Sequence, residues 1–304
     1  MTSPAIVAAM LAVAFSDSKT LATQIELDKA GFSPNTIDGQ WGRKSQNALE
    51  RYCEARSIPV PATPEEAFDA LFSARPPRFR KVTVTKEDIE SVAAIPESPA
   101  ERAKLACMGY ETVAEMLAER GHVTVPTLRR LNPGKDLDAP VPGTEVAIPD
   151  FPTFDSALAG AEAKDAPKAD RFVISLSRFE IAALDGQGRT IALFPCSIAK
   201  DKAKLPASGD LKVVAMIPNP NYTYKPDYVA PGAKARKHVW PPGANCPVGV
   251  AWIGLNIPGY GIHGTPRPET IGRAESHGCF RLANWNAARL YSLCRIGTVV
   301  TVEE

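Results

Sequence analysis

The spacing of apolar residues changes once along this chain, near residue 170, and that change limits what the two halves can fold into. Before it, apolar residues recur at helical spacing in short segments: 20–30 with Leu21, Ile25 and Leu27, 44–55 with Ala48, Leu49, Tyr52 and Cys53, then 112–120 and 125–131. After it, short β-rich runs succeed one another at 171–176, 180–184, 190–197, 211–217, 251–255, 261–262 and 298–302, with Asp185-Gly186-Gln187-Gly188 as a hairpin turn. One helix fits this half, 285–294, with Ala288, Leu290, Tyr291 and Cys294 on one apolar face. The pattern predicts a multidomain α+β chain, with a mainly β, sandwich- or barrel-like domain at the C-terminus behind smaller helical units.

Prolines punctuate the first half. There are 28 in 304 residues, well above the average of roughly 5%, and they suggest linkers at 62–99 and 151–170. The latter is rich in alanine and charge. The expected units are therefore 17–61, 100–150 and 171–304. In 75–85 the run RPPRFRKVTVT reads as a basic, extended connector. Residues 1–16 include the apolar run 4–15, which has the length of a signal-peptide core but no basic residue before it. A secretion signal and a first packed helix both stay open.

Charge excludes some partners. Lys and Arg number 35 against 34 Asp and Glu, for a formal charge of +1, so nothing favours nucleic acid or an anionic membrane surface. No run of eighteen apolar residues suggests a transmembrane helix. Six cysteines at 53, 107, 196, 246, 279 and 294 show no CxxC pair. Cys196 and Cys246 could be bridged in an oxidising compartment, and the cysteines other than Cys279 read as small buried hydrophobes.

Chemistry concentrates in 263–282, HGTPRPETIGRAESHGCFRL. Two of the four histidines, His263 and His277, stand near Cys279, with Gly278 before it and Arg281 after it. A cysteine attacks as its thiolate and needs a base or positive charge nearby, which either histidine could supply. Gly278 permits a turn that could aim N–H groups at a developing oxyanion. Arg281 falls on the same side as Cys279 if the segment is extended, and offers a bidentate donor to a carboxylate. A zinc site of His263, His277 and Cys279, and a structural cysteine in an ordinary loop, fit the same residues.

His263-Gly264-Thr265, followed by Ser276-His277-Gly278-Cys279-Phe280-Arg281, resembles the signature of the L,D-transpeptidases, the YkuD-like family. The runs ASGDLKV, PPGANCPVG, WIGLNIPGYGIHG and RLANWNAARLY extend the resemblance over about 130 residues. It departs in having Pro266 after His-Gly-Thr and Phe280 after the cysteine. The resemblance implies that Cys279 is the nucleophile and His263 the general base, with His277 and Gly278 shaping the oxyanion site. Arg281, Ser276, Gly264 and Thr265 would contact substrate, with no metal and no cofactor.

It also implies a peptidoglycan stem tetrapeptide as acyl donor, D-alanine as leaving group, and an amine of another stem or of a cell-wall protein as acceptor. Water as acceptor, giving an L,D-carboxypeptidase, and a non-catalytic peptidoglycan-binding protein are the alternatives. The place of action would be the bacterial cell envelope, reached by secretion.

Upstream, Gly31, Asp38, Gly39 and Gly42 with the following helix resemble a peptidoglycan-binding-like module, with Asn35 where that family carries glycine. The stretches LAERGHVTVPTLRRLNP and PGTEVAIP resemble a degenerate LysM-like module, a β-α-α-β unit, although its first strand is not evident around 107–110. Glycan strands are the partner these two resemblances imply.

Overall fold

The computed structural model describes residues 15, 18–74, 78–160, 166–206, 209–226, 237–276 and 278–304. Apart from Phe15, the apolar segment 1–16 lies outside them, as does His277.

Helix α1 (Lys19–Lys29) starts where the Ser18 side chain accepts a hydrogen bond from the Leu21 amide. It ends at Gly31, whose φ of 95° suits a residue without Cβ. Every residue from Leu21 to Asp28 is buried, because two cores share this helix. Leu21 and Ile25 enter one and Leu27 enters the other. The turn after α1 is tied by Gln24, whose amide donates to Gln40 O and Ser45 Oγ and accepts from the Gly39 amide at 2.8 Å. Asn35 takes a φ of 73°, in the left-handed region that asparagine tolerates better than most residues with a Cβ. Helix α2 (Arg43–Glu54) buries Ala48, Leu49, Tyr52 and Cys53 as its spacing predicts.

Two short helical turns, Pro64–Ala67 and Phe68–Phe72, precede strand β1 (Phe79–Thr83). The expected connector is therefore extended, and it is also paired. Helices α3 (Val113–Arg120) and α4 (Val125–Leu131) follow, N-capped by Thr112 and Thr124, caps that contribute about 1 kcal/mol each. Strand β2 (Glu145–Pro149) then pairs antiparallel with β1 in the register Phe79↔Pro149. The strand paired with β2 is thus 79–83, and no strand forms at 107–110. Val113, Leu117, Leu128, Leu131, Val146 and Ile148 close a core with Leu21 and Ile25 of α1.

Helix α5 (Phe154–Gly160) lies in the segment expected to be a linker, and it is packed: Leu158 is buried in the core of the C-terminal domain. That domain contains β3 (Arg171–Ser175), β4 (Glu180–Leu184), β5 (Thr190–Pro195), β6 (Ile198–Ala199), β7 (Gly209–Pro218), β8 (Tyr222–Tyr224), β9 (His238–Trp240), β10 (Ala251–Leu255), β11 (Gly261–Thr265), β12 (Ala274–Ser276), β13 (Phe280–Ala283), helix α6 (Asn284–Leu293) and β14 (Val299–Glu303). Eight strands form one sheet in the order β13-β11-β10-β7-β14-β3-β4-β5.

The ends of that sheet meet. Ser197, just beyond β5, exchanges both backbone hydrogen bonds with Arg281 of β13, at 2.8 and 3.0 Å. The sheet thereby curls into the barrel-like form expected, and α6 packs Ala287, Ala288, Leu290 and Tyr291 into its core. The two-stranded pairs β6–β12 and β8–β9 stand outside it.

All six cysteines are free thiols. Cys196 and Cys246 are therefore unbridged, and Cys107, expected to be buried, is exposed because it sits in the loop before α3. The two halves share a core: Ala182 and Leu193 of the sheet pack with Leu27, Phe32, Leu49 and Phe72 of the first half.

Candidate active site

Strands β11 and β13 run parallel in the register Ile262↔Phe280 and His263↔Arg281. Paired residues of parallel neighbours project to the same face. Ile262 and Phe280 enter the core, and His263 and Arg281 open into a cleft of about 690 Å³. Cys279, two residues before Arg281, joins them there, together with Thr265, Ser276 and Gly278. The backbone register thus gathers the nucleophile and base candidates from segments separated along the chain.

His263 is 7% exposed. Its ring stacks on Trp252, the neighbour across β10, with centroids 5.6 Å apart. Nδ1 lies 2.7 Å from Gly264 O. A carbonyl only accepts, so Nδ1 carries the hydrogen and Nε2 keeps the lone pair. Burial, aided by the charge on Arg281, pushes the imidazole pKa down to about 4. The ring is neutral at physiological pH, as a general base must be before it acts.

The Cys279 thiol donates to Gly259 O at 3.5 Å, and burial raises its pKa above the ordinary thiol value. Thiol and imidazole therefore rest as a neutral pair. Ser276 anchors the turn between them: its hydroxyl donates to Cys279 O at 2.6 Å and accepts from the Gly278 amide at 3.3 Å. A Cβ on Gly278 would touch, among the described residues, only Tyr260, at 3.8 Å. Among the described residues nothing crowds a Cβ at 278.

Gly264 is different. A Cβ there would come within 2.3 Å of Asn284 Oδ1 and 3.1 Å of Gly249 Cα, so packing requires glycine at this place in His-Gly-Thr. The Thr265 hydroxyl accepts from the Arg267 amide at 3.3 Å. Among the described residues Arg281 Nε and Nη2 are buried without a hydrogen-bond partner, and a Glu275 carboxylate oxygen lies 3.8 Å from Nη2. Unmet guanidinium donors at a cleft suit an anionic ligand.

Among the described residues no group of three His, Cys, Asp or Glu side chains could hold a metal ion. His277, one of the three in the zinc reading, is outside them.

Some cleft residues were not singled out from the sequence. Trp252 lies in the run WIGLNIPGYGIHG, where its pairing with His263 could have been sought. Tyr222 lines the cleft, whereas Tyr224 stacks on Trp240 at 4.9 Å. Asn245 and Arg102 carried no signal. The Asn245 amide donates to Gly109 O at 3.0 Å and Glu115 Oε1 at 2.7 Å. Arg102 reaches the cleft from the short helix Pro99–Arg102, well outside the C-terminal domain.

A Bacillus subtilis protein carrying the name YkuD is 45% identical over 56 residues, which are 18% of this chain and 34% of that protein. The product of ORF 5 in the ATP synthase subunits region of Fuscovulum blasticum is 34% identical over 123 residues, 39% of this chain and 61% of that one. The chain thus spans between about a third and three fifths of these relatives. A solved L,D-transpeptidase from Mycobacterium smegmatis shares 17% identity over 44% of this chain and 58% of that one, with a TM-score of 0.34. Residues 169–302 match the YkuD model, the L,D-transpeptidase catalytic domain, and that match takes in every residue of the cleft except Arg102.

Proposed function

We propose that the protein is a peptidoglycan L,D-transpeptidase of the bacterial cell envelope, with Cys279 as nucleophile and His263 as general base. The observation that carries this reading is the convergence of Cys279, His263 and Arg281 on one cleft within the matched residues. The donor is a stem tetrapeptide. As the Cys279 sulfur attacks the carbonyl between its third residue and D-alanine, the thiol proton passes to Nε2 of His263. The tetrahedral intermediate then expels D-alanine, whose amine takes that proton, leaving a thioester. An acceptor amine attacks the thioester and yields its proton to His263, which returns it to the departing thiolate. Arg281 offers its unmet donors to a carboxylate of the donor.

Because thiol and imidazole rest neutral, proton transfer accompanies attack rather than preceding it. The test is to incubate the full chain with a synthetic stem tetrapeptide and an amine acceptor and follow products by mass. D-alanine release, an acyl adduct on Cys279 and a cross-linked product are expected, each lost in Cys279→Ala and strongly reduced in His263→Gln. No adduct and no D-alanine would leave a recognition module instead, and hydrolysis without transfer would make the protein a carboxypeptidase.

A further inference from the structure

The cleft is strongly one-sided in charge. Arg102, Arg267 and Arg281 line it, and among the described residues no Asp or Glu does. Glu275 lies behind Arg281 at 3.8 Å and offsets part of that charge. Among the described residues no carboxylate pairs with Arg102 or Arg267.

Arg102 is held in place from outside the catalytic domain. Its Nε donates to Pro96 O at 2.5 Å, and its guanidinium carbon lies 4.9 Å from the centre of the Trp240 ring. Trp240 in turn donates through Nε1 to Pro99 O at 3.0 Å. One edge of the guanidinium is thus committed to backbone and one face to indole, so the group is preorganised without being neutralised.

The segment that carries it is docked closely. The Met108 amide donates to Pro242 O at 2.8 Å and Met108 O accepts from the Asn245 amide at 2.9 Å. A Cβ on Gly243, which has a φ of 149°, would stand 2.1 Å from Met108 O. Only glycine lets the two backbones approach like this.

We propose that Arg102, supplied by the N-terminal half, is a specificity-determining residue of the cleft: with Arg267 and Arg281 it selects donor peptides whose side carboxylates are free over donors in which those carboxylates are amidated. This rests on the transpeptidase reading and adds to it a substrate class and a residue that the family match does not include. A carboxylate meets a guanidinium as an ion pair with two acceptor oxygens, whereas a primary amide offers a single carbonyl oxygen and no opposite charge. The discrimination falls on KM, because the side carboxylates do not change during acyl transfer.

The experiment compares two synthetic tetrapeptide donors, one with free side carboxylates and one with both amidated, on the full-length protein. Acylation of Cys279 is followed by intact mass at several donor concentrations. The wild type is expected to prefer the free-carboxylate donor by roughly tenfold or more in kcat/KM, with the preference shrinking at high salt. Arg102→Gln should lose most of it through a raised KM for the charged donor alone. Arg102→Lys should keep part of it, since charge is retained while the Pro96 contact is lost, and thermal unfolding confirms that each variant is folded.

Equal rates for the two donors in wild type, or an unchanged preference in folded Arg102→Gln, would overturn the proposal while leaving the enzyme reading intact. Parallel losses for both donors in Arg102→Gln and Arg102→Lys would make Arg102 a structural residue and overturn it as well. Absence of acylation by either donor in wild type brings down the functional reading, and the proposal with it.

Discussion

At the scale of single residues, the resting site holds its reactive groups uncharged. Burial lowers the pKa of His263 to about 4 and raises that of Cys279. Alkylation of Cys279 by iodoacetamide, resolved from Cys107 by peptide mapping, should therefore keep accelerating beyond pH 9. A plateau near neutrality would indicate a thiolate–imidazolium pair and contradict the geometry. The depressed imidazole pKa also acts on stability. Between the ordinary histidine value of 6.5 and about 4 the unfolded chain binds a proton that the folded chain refuses, so this contribution is present above pH 6.5 and is lost as pH falls towards 4.

Cys279, His263 and Arg281 were legible in the sequence because the motif preserves their order and spacing. Arg102 and Asn245 were not, because their relation to the cleft arises only when distant segments dock.

At the scale of elements, two contacts determine how β11 and α6 sit. The first is Gly264 against Asn284. Gly264→Ala forces a Cβ into a side-chain amide and a neighbouring backbone, and should destabilise the fold by about 1–3 kcal/mol while lowering acylation through the adjoining His263. Calorimetry and intact mass measure the two effects separately. The second is Glu119 of α3, hydrogen-bonded by the Asn284 amide at 2.9 Å. Burial raises its pKa to about 8, with Tyr110 and Asn284 opposing the shift by hydrogen bonding.

A carboxyl that the fold keeps protonated contributes its stability fully below its unfolded pKa, and that contribution is lost as pH rises through about 8. The melting temperature should accordingly fall between pH 6 and pH 9, and Glu119→Gln should flatten that slope; an unchanged slope in the variant would place the titration elsewhere. Helices such as α4 were readable end to end because their apolar period and caps agree. Strands β8, β9, β12 and β13 were not, being three or four residues long with no alternation to read. Strand β1 read as a connector because its partner lies beyond four intervening helices.

At the scale of the whole molecule, proline-rich stretches suggested separable units, and packing joins them. Helix α1 serves two cores, and Leu193 of the sheet is buried against Leu27, Phe32 and Tyr52. The full chain should unfold in one cooperative calorimetric transition; two well-separated transitions would show that the shared core does not couple the halves. Composition could not reveal this, because buried contacts between distant segments leave no local pattern.

The seam between Ser197 and Arg281 gives the cleft a mechanical character. The residue that presents its guanidinium to the cleft is, through its backbone, the stitch that closes the barrel. Widening the floor would unzip that stitch, so accommodation of ligands of different size falls to the walls around Tyr222 and Asn245. In hydrogen–deuterium exchange the Arg281 and Ser197 amides should be among the slowest in the domain, with and without ligand, while the wall amides respond to it.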